Sequence, residues 1–218
     1  SGVALRLWRA GMDVVLLDVE KPTAIRRTVA FSEAIVHGVQ RVEDVTARLA
    51  TAETAEETLA AGYIPVLVDP EGRSVPKLKP DALVDAILAK RNLGTEIRDA
   101  PVVIGVGPGF TAGVDCHAVV ETMRGHSLGR VIREGSAIPN TGIPGLIGGF
   151  AGERVLRAPA AGLFHPLRDI GDAVTEGEIL ATVEGKPIIA TLTGTLRGIL
   201  PEGTEVFPGM KAGDIDPR

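Results

Sequence analysis

The sequence predicts a mixed α/β protein in which a parallel sheet with helices precedes a small all-β unit. Three observations lead to this prediction. Helix-like and strand-like patterns alternate over residues 1–100, glycine is dense over residues 101–155, and a glycine–valine pattern is repeated within residues 156–218. Alternation of the first kind is typical of parallel α/β sheets, whereas short strands separated by glycine turns are typical of small barrels. We therefore expect an α/β domain, a glycine-rich segment that completes or extends it, and a β barrel.

The first twenty residues read as the second half of a nucleotide-binding βαβ unit. Apolar residues within 3–8 recur at helical spacing, and Gly11 suits the left-handed end of a helix. The apolar run 14–17 then predicts a buried parallel strand with Asp18 at its tip. In a dinucleotide-binding fold, an acidic residue at that tip meets the ribose. We therefore expect a Rossmann-like sheet whose first strand and glycine-rich loop would lie before Ser1.

The alternation continues to residue 100. Arg26 and Arg27 follow the strand tip, where guanidiniums could pair with the phosphates of a ligand. TAETAEETLAAG at 51–62 predicts a helix that ends at its glycine, and the apolar run 64–68 predicts the next buried strand. KPDALVDAILAKRN at 79–92 predicts a further helix, because a proline stands near its start and apolar residues recur on one face.

A glycine-rich loop follows the apolar run of PVVIGVGPGF. Gly105, Gly107 and Gly109 would allow the backbone to approach an anion closely. Their spacing is not that of G-x-G-x-x-G, and Pro108 lacks an N–H donor. The loop is therefore interpreted either as a phosphate-binding loop or as a tight structural turn.

Polar residues are concentrated in DCHAVVETMRGH, for which we predict a helix over 115–125. Such a helix would place His117, Glu121 and Arg124 on one face, but two metal-binding residues without a third predict no metal site. Cys116 would lie at the helix N-terminus, where a thiol pKa is lowered. Cys116 is thus a candidate nucleophile or chalcogen carrier with His117 or His126 as acid–base partner, and a buried core thiol is the alternative interpretation.

The last sixty residues contain an internal repeat with an offset of 32 residues. The repeat predicts two interlocked halves of a small barrel and resembles the biotinyl/lipoyl-like hammerhead. In that fold a carrier lysine occupies the hairpin between the halves, and VEGKP offers Lys186 there. The hairpin is one residue short and Pro187 follows the lysine, so an ordinary surface lysine is the preferred interpretation. The matching pairs are Gly162 with Gly194, Gly171 with Gly203, Val174 with Val206, and Gly177 with Gly209.

Composition narrows the functional classes. The 23 basic and 28 acidic residues provide no broad basic face, which argues against a nucleic-acid-binding protein. The single cysteine excludes an internal disulfide and suits a reducing cytoplasm. No apolar run approaches the roughly 20 residues needed to span a membrane.

Five segments together resemble the YqeB-type accessory proteins of selenium-dependent molybdenum hydroxylases, a family compared distantly with XdhC-type chaperones. The segments are PTAIRRTVAFSEA, LKPDALVDAILAKRNLGT, GVGPGFTAGVDCHAVVETMRGHSLGRVI, PNTGIPG and MKAGDIDPR. The resemblance implies a cytoplasmic maturation factor that handles a molybdenum cofactor and acts on a molybdenum hydroxylase apoenzyme. Family members begin with a glycine-rich loop just before the helix that opens this chain.

Two hypotheses and a third alternative follow. In the first, the protein binds a phosphate-bearing ligand, either a molybdopterin cofactor or a nucleotide, and assists cofactor insertion or selenation. In the second, it is an enzyme that transfers selenium to the cofactor through Cys116. A nucleotide-dependent oxidoreductase is the third reading, and a homo-oligomer is left open. The candidate ligand contacts are Asp18, Arg26, Arg27, Gly105, Gly107, Gly109, Arg124, Asn140 and Thr141, and the candidate reacting groups are Cys116, His117 and His126.

Overall fold

The computed structural model describes residues 1–143 and 145–218. The chain forms two compact units. The first unit combines Ser1–Pro70 with residues 145–218, and the second unit is Glu71–Ile143. In the two described stretches, no helix has the length and apolar character needed to cross a bilayer.

These units differ from the three segments expected from sequence texture. The α/β residues at the start of the chain and the all-β residues at its end pack into the same unit. A backbone hydrogen bond of 2.8 Å from Ile199 N–H to the Ile25 carbonyl joins them, and Ile25 packs against the core of the all-β strands. Local composition and patterning along the sequence cannot reveal this association, because the two parts are distant in sequence.

The first seventy residues form a four-stranded sheet with short helices. The elements are α1 Gly2–Arg9, β1 Leu16–Asp18, α2 Glu33–His37, β2 Val39–Val42, β3 Val45–Ala50, α3 Ala55–Ala60 and β4 Ile64–Val68, with a single 3₁₀ turn at Arg27–Val29. The strand order is β1-β4-β3-β2. β4 is parallel to both β1 and β3, whereas β2 and β3 form an antiparallel hairpin. A mixed sheet with a parallel centre is therefore present.

Several predicted elements of this part are confirmed. α1 covers the amphipathic segment, buries Ala4 and Leu5, and is followed by Gly11 at φ +83°. The predicted strand 64–68 is β4, and its first four residues are buried. A continuous apolar run suits this position, because neighbouring strands flank β4 and the core covers it. The helix predicted within 51–62 is α3.

The second unit is built mainly from strands. Its elements are α4 Val75–Leu78, β5 Ala82–Asp85, β6 Val102–Val106, β7 Thr111–Ala112, β8 Ala118–Val120, β9 Val131–Ile132 and β10 Gly135–Ser136. The main sheet has the order β5-β6-β8-β9, with β5 and β8 parallel to β6 and β9 antiparallel to β8. β7 and β10 form a separate antiparallel pair.

Two helix predictions in this unit are wrong. The segment 79–92 contains β5 and then an irregular stretch in which Leu88 and Lys90 have positive φ. The segment 115–125 contains β8 and a turn. Both segments carry short apolar runs whose periodicity does not distinguish helix from strand, and pairing with β6 decides between the two. His117, Glu121 and Arg124 therefore do not share a helix face.

The C-terminal residues form two four-stranded antiparallel sheets. Their elements are β11 Val155–Arg157, β12 Gly162–Pro166, β13 Ala173–Val174, β14 Ile179–Val183, β15 Lys186–Ile189, β16 Gly194–Ile199, β17 Glu205–Val206 and β18 Lys211–Asp216, and a 3₁₀ turn at Gly152–Arg154 precedes them. The sheet orders are β11-β18-β16-β13 and β15-β14-β12-β17. One apolar core, which includes Phe164, Leu180, Leu196 and Ile215, is shared by both sheets.

The sequence repeat corresponds to a structural exchange between the two halves. Strands β12, β13 and β14 of the first half correspond to β16, β17 and β18 of the second at the 32-residue offset. β12 pairs with β17, and β16 pairs with β13, so each half supplies a neighbour to the first strand of the other. Lys186 follows a two-residue turn at the end of β14 and is exposed. The likeness to a hammerhead stays a prediction.

Candidate functional site

Asp18 ends β1 at the carboxyl edge of the parallel part of the first sheet. Its Oδ1 accepts a 2.8 Å hydrogen bond from Val19 N–H, and its backbone carbonyl accepts one of 3.0 Å from Asp69 N–H beyond β4. Burial raises the pKa of the Asp18 carboxyl, although the Val19 hydrogen bond opposes that effect. A half-buried carboxylate at a strand tip can accept hydrogen bonds from a ribose hydroxyl or from the N–H groups of a pterin.

Arg26 and Arg27 are both engaged by residues of the C-terminal strands and their loops. The Arg26 guanidinium lies 2.5 Å from the carboxylate of Asp214, which is buried. Arg27 donates to the Ile199 carbonyl at 3.0 Å and pairs with the exposed Asp169 at 3.1 Å. The two arginines therefore fasten the segment after β1 to the all-β part of the same unit.

Other atoms of the protein occupy the space beside the glycines at the end of β6 and in the loop that follows it. A Cβ on Gly105 would press against the Phe110 ring, and one on Gly109 would lie 2.5 Å from Arg91 Cα. Gly109 also has φ +113°, which side-chain-bearing residues rarely adopt. A Cβ on Gly107 would lie 2.9 Å from the Thr122 hydroxyl oxygen. These contacts favour the tight structural turn over the phosphate-binding loop.

Cys116 is a buried core residue. The thiol is completely buried in a cluster with Val103, Phe110 and Val119, and it does not lie at a helix N-terminus. Burial raises the pKa of the Cys116 thiol, and Asp115 raises it further. The predicted lowering of this pKa is therefore wrong, because the helix on which it depended is a strand.

The two candidate histidines are exposed. His117 immediately precedes β8, where its Nδ1 accepts a 2.9 Å hydrogen bond from Val103 N–H, so the ring can donate only through Nε2 when neutral. His117 also borders an open groove of about 600 Å³ that Lys79, Asp81 and Arg98 help to line. His126 lies in the turn between β8 and β9, as does Arg124, and both are exposed.

Glu121 is a buried residue of this unit, whereas the sequence predicts it on a helix face with His117 and Arg124. The side chain is almost completely buried, and its carboxylate accepts hydrogen bonds from Met123 N–H at 2.6 Å and Ile138 N–H at 2.8 Å. Burial alone would raise the pKa of Glu121, but the backbone donors outweigh burial and hold it below its usual value. Glu121 thereby fixes the start of the loop that carries Asn140 and Thr141.

Asn140 and Thr141 lie on that exposed loop and bond locally. Asn140 Oδ1 accepts from Gly142 N–H, and Thr141 Oγ1 accepts from Ile143 N–H, each at 3.3 Å. Thr141 Oγ1 also donates to the Ile143 carbonyl at 3.5 Å, and both residues are exposed.

Replacing Glu121 with glutamine is expected to destabilise the second unit in a pH-dependent way. A glutamine amide accepts less strongly than a carboxylate, so the free energy of unfolding should fall by about 1.5–3 kcal/mol at neutral pH. The folded-state pKa is lowered, so the stability due to ionised Glu121 is present above the ordinary glutamate pKa and is lost as the pH falls through the folded pKa. Urea unfolding at a series of pH values measures the difference.

Glu134→Gln is the matched control, because Glu134 is exposed. It should change stability by less than about 0.5 kcal/mol at every pH. A difference between wild type and Glu121→Gln that persists unchanged at acid pH would contradict the assignment of the effect to the ionised carboxylate.

Comparison with known proteins finds one curated relative and distant structural likenesses. The uncharacterized protein YqeB of Escherichia coli strain K12 is 55% identical over 219 residues, which cover 100% of this chain and 40% of that protein. The chain therefore spans well under half the length of the curated relative that it matches. No protein-family model matches the chain.

Among solved structures, an aspartoacylase family protein of Mesorhizobium loti is 20% identical over 30% of this chain and 24% of its own, with a TM-score of 0.28. A succinylglutamate desuccinylase/aspartoacylase of Rhodobacter sphaeroides is 14% identical over 94% of this chain and 84% of its own, with a TM-score of 0.32. The ectoine utilization protein EutE of Ruegeria pomeroyi is 12% identical over 93% and 84%, with a TM-score of 0.30.

Proposed function

This chain is a YqeB-type protein over its whole length, and from that premise we propose that it acts in the cytoplasm as an accessory factor in the maturation of a selenium-dependent molybdenum hydroxylase. The observation that carries the proposal is the set of five segments, spread along the chain, that resemble this family. The proposed partner is the hydroxylase apoenzyme. The proposed ligand is a molybdopterin cofactor or a nucleotide.

The best-placed ligand contact is Asp18. We infer that the ligand binds at the carboxyl edge of β1 and β4, as ligands do in Rossmann-like sheets. At that edge the Asp18 carboxylate is half-buried and has only one short-range donor, Val19 N–H, among the described residues. Its remaining acceptor positions suit the adjacent N–H groups of a pterin or the hydroxyls of a ribose.

Binding is favoured over selenium transfer by the surroundings of Cys116. A chalcogen carrier needs an accessible thiol with a lowered pKa, so that the thiolate can attack and then release its cargo. Cys116 is completely buried, and burial raises the pKa of its thiol. The oxidoreductase alternative requires a redox-active nucleotide, so the identity of the bound small molecule separates it from the accessory function.

The binding proposal is tested on protein isolated from its native host. Mass spectrometry of released small molecules should identify a pterin or a nucleotide, and calorimetry should measure its rebinding. Asp18→Asn should weaken rebinding by about tenfold, as expected for loss of charge-assisted hydrogen bonds. Asp13→Asn, a change at an exposed aspartate, is the matched control. No bound pterin or nucleotide, and no rebinding, would remove the proposal, whereas a redox-active nucleotide alone would favour the oxidoreductase.

Replacing Cys116 with alanine or serine should leave selenium incorporation into the hydroxylase within about twofold of wild type, because a buried core thiol makes no bond to the cargo. The measurement is the selenium content of the hydroxylase matured in cells that carry each variant. Circular dichroism checks that the variants are folded. Loss of selenium with both folded variants would instead support transfer through Cys116.

A further inference from the structure

Basic side chains gather where β11 and β18 pair in the first unit. Arg157 ends β11 directly opposite Lys211, which begins β18, so two cations face each other across the ladder. Arg154 immediately precedes β11, and Arg26 approaches the same sheet through its bond to Asp214 of β18. These four residues are called the basic cluster below. Like charges directly opposite on paired strands are unfavourable unless something of opposite charge offsets them.

The protein itself supplies one carboxylate to this cluster. The charged groups that act on the Lys211 ammonium are Asp214 and the guanidiniums of the other three members. The Arg26 guanidinium lies 2.5 Å from the Asp214 carboxylate, whereas the Arg154 guanidinium lies 3.8 Å away from it. Among the charged residues that the structure describes at this point, four cations thus share the Asp214 carboxylate, and the cluster retains a local excess of positive charge.

Nearby carboxylates are committed to other partners. Glu153, next to Arg154, accepts a hydrogen bond from Ala151 N–H at 2.9 Å. Asp216, two residues after Asp214, pairs with Arg218 at 2.8 Å and with Arg197 at 3.3 Å. In the described residues, therefore, neither of these groups neutralises the basic cluster.

Two donors of the cluster lack partners. Arg154 is only 5% exposed, yet its Nε is buried with no hydrogen-bond acceptor among the described residues. Lys211 is an exposed residue whose ammonium makes no hydrogen bond or ion pair within the part of the chain that the structure describes; desolvation and the three arginines lower its pKa, although Asp214 opposes them. Buried polar groups are nearly always paired, so an unpaired guanidinium nitrogen indicates that an acceptor belongs there.

We propose that the basic cluster of Arg26, Arg154, Arg157 and Lys211 is a binding site for a tetrahedral oxyanion, either free phosphate or the phosphate group of a small molecule. Arginine forks match the geometry of phosphate oxygens, and lysine contributes a compact charge. A doubly charged phosphate would offset the excess of cations that Asp214 leaves. The site does not depend on the proposed accessory function, because it rests on the charge and the unpaired donors of these four residues alone.

The test is isothermal titration calorimetry of inorganic phosphate into the intact protein at low salt, with chloride at equal ionic strength as the reference. Saturable binding with one phosphate per chain is expected. Lys211→Met, which retains a long side chain while removing the charge, should weaken binding about tenfold, the usual effect of losing a charge-assisted hydrogen bond. Lys211 is exposed enough that the variant should fold, and circular dichroism checks this.

Lys186→Met is the matched control, because Lys186 also begins a strand, is exposed, and is not a member of the basic cluster. It should leave the phosphate affinity within about twofold of wild type, since its charge lies outside the site. The absence of saturable phosphate binding, or equal weakening by both lysine variants, would overturn the proposal.

A parallel titration with glycerol phosphate separates the two sources of the oxyanion. Tighter binding than inorganic phosphate would identify the phosphate group of a small molecule as the ligand, and equal or weaker binding would identify free phosphate. Each result supports the site. Failure of pterin or nucleotide rebinding at Asp18 would not alter the phosphate titration, so the two proposals fail independently.

Discussion

Replacing Asp214 with alanine is expected to lower the free energy of unfolding of the first unit by about 3 kcal/mol or more, in the range found when one partner is removed from a buried ion pair. The side chain is buried in β18, where it lies between the guanidiniums of Arg26 and Arg154. Without it, the almost fully buried Arg154 would lose the ion-pair partner that it has among the described residues. Urea unfolding followed by circular dichroism measures the loss.

Asp169→Ala provides a matched comparison, because Asp169 pairs with the adjacent arginine, Arg27, but is exposed. An exposed pair contributes little, so this change should cost less than about 1 kcal/mol. Equal losses for the two aspartate variants would mean that burial does not make the Asp214 pair important. In Asp214→Ala, added phosphate should recover part of the lost stability if the basic cluster binds it, since a ligand that binds only the folded state stabilises it.

Gly194→Ala is expected to have a comparably large effect through steric conflict. A Cβ at this first residue of β16 would press against the backbone carbonyl of Asp216, 2.9 Å from its carbon, and against the Ile215 side chain at 3.0 Å. Backbone atoms cannot rotate away as a flexible side chain can, so β16 and β18 would have to separate locally. Overpacking of this kind costs typically about 1–3 kcal/mol and more where the backbone must shift.

Gly152→Ala is the control for Gly194→Ala, because no atom lies within 4 Å of a Cβ built there and its φ is not in the positive region. That substitution should be nearly neutral in the same urea unfolding experiment. Similar losses for both variants would indicate a general intolerance to alanine rather than a close approach at β16. A Gly194→Ala protein as stable as wild type would contradict the geometry of the β16–β18 ladder.

The sequence predicts elements best where the signal is local. α1 has an amphipathic segment and a terminating Gly11, and β4 has an apolar run of strand length, so both follow from their own residues. The strands β5 and β8 were predicted as helices, because their identity depends on pairing with β6 rather than on their own pattern. Local periodicity carries no information about such a partner.

The candidate site shows the same limit. Asp18 was placed correctly at a strand tip, because the apolar run and the acidic residue after it are adjacent in the sequence. The prediction that Cys116 lies at a helix N-terminus is wrong, because its segment contains a strand and the thiol is buried in the core. The sequence analysis does not identify Asp214, although two aspartates, Asp214 and Asp216, among the small and apolar residues of AGDID indicate that buried partners exist. Arg154 gave no such signal, because its burial results from packing that is distant in sequence.

The exchange of strands between the two C-terminal halves has a consequence for how the protein emerges from the ribosome. β12 cannot obtain its β17 neighbour until about forty further residues have been synthesised. The first half therefore has an unpaired strand edge until the second half has been synthesised. Pairing between segments so far apart slows folding and exposes strand edges that can join other nascent chains. The β12–β17 pair of this unit therefore forms only after β17, in the second half, has been synthesised.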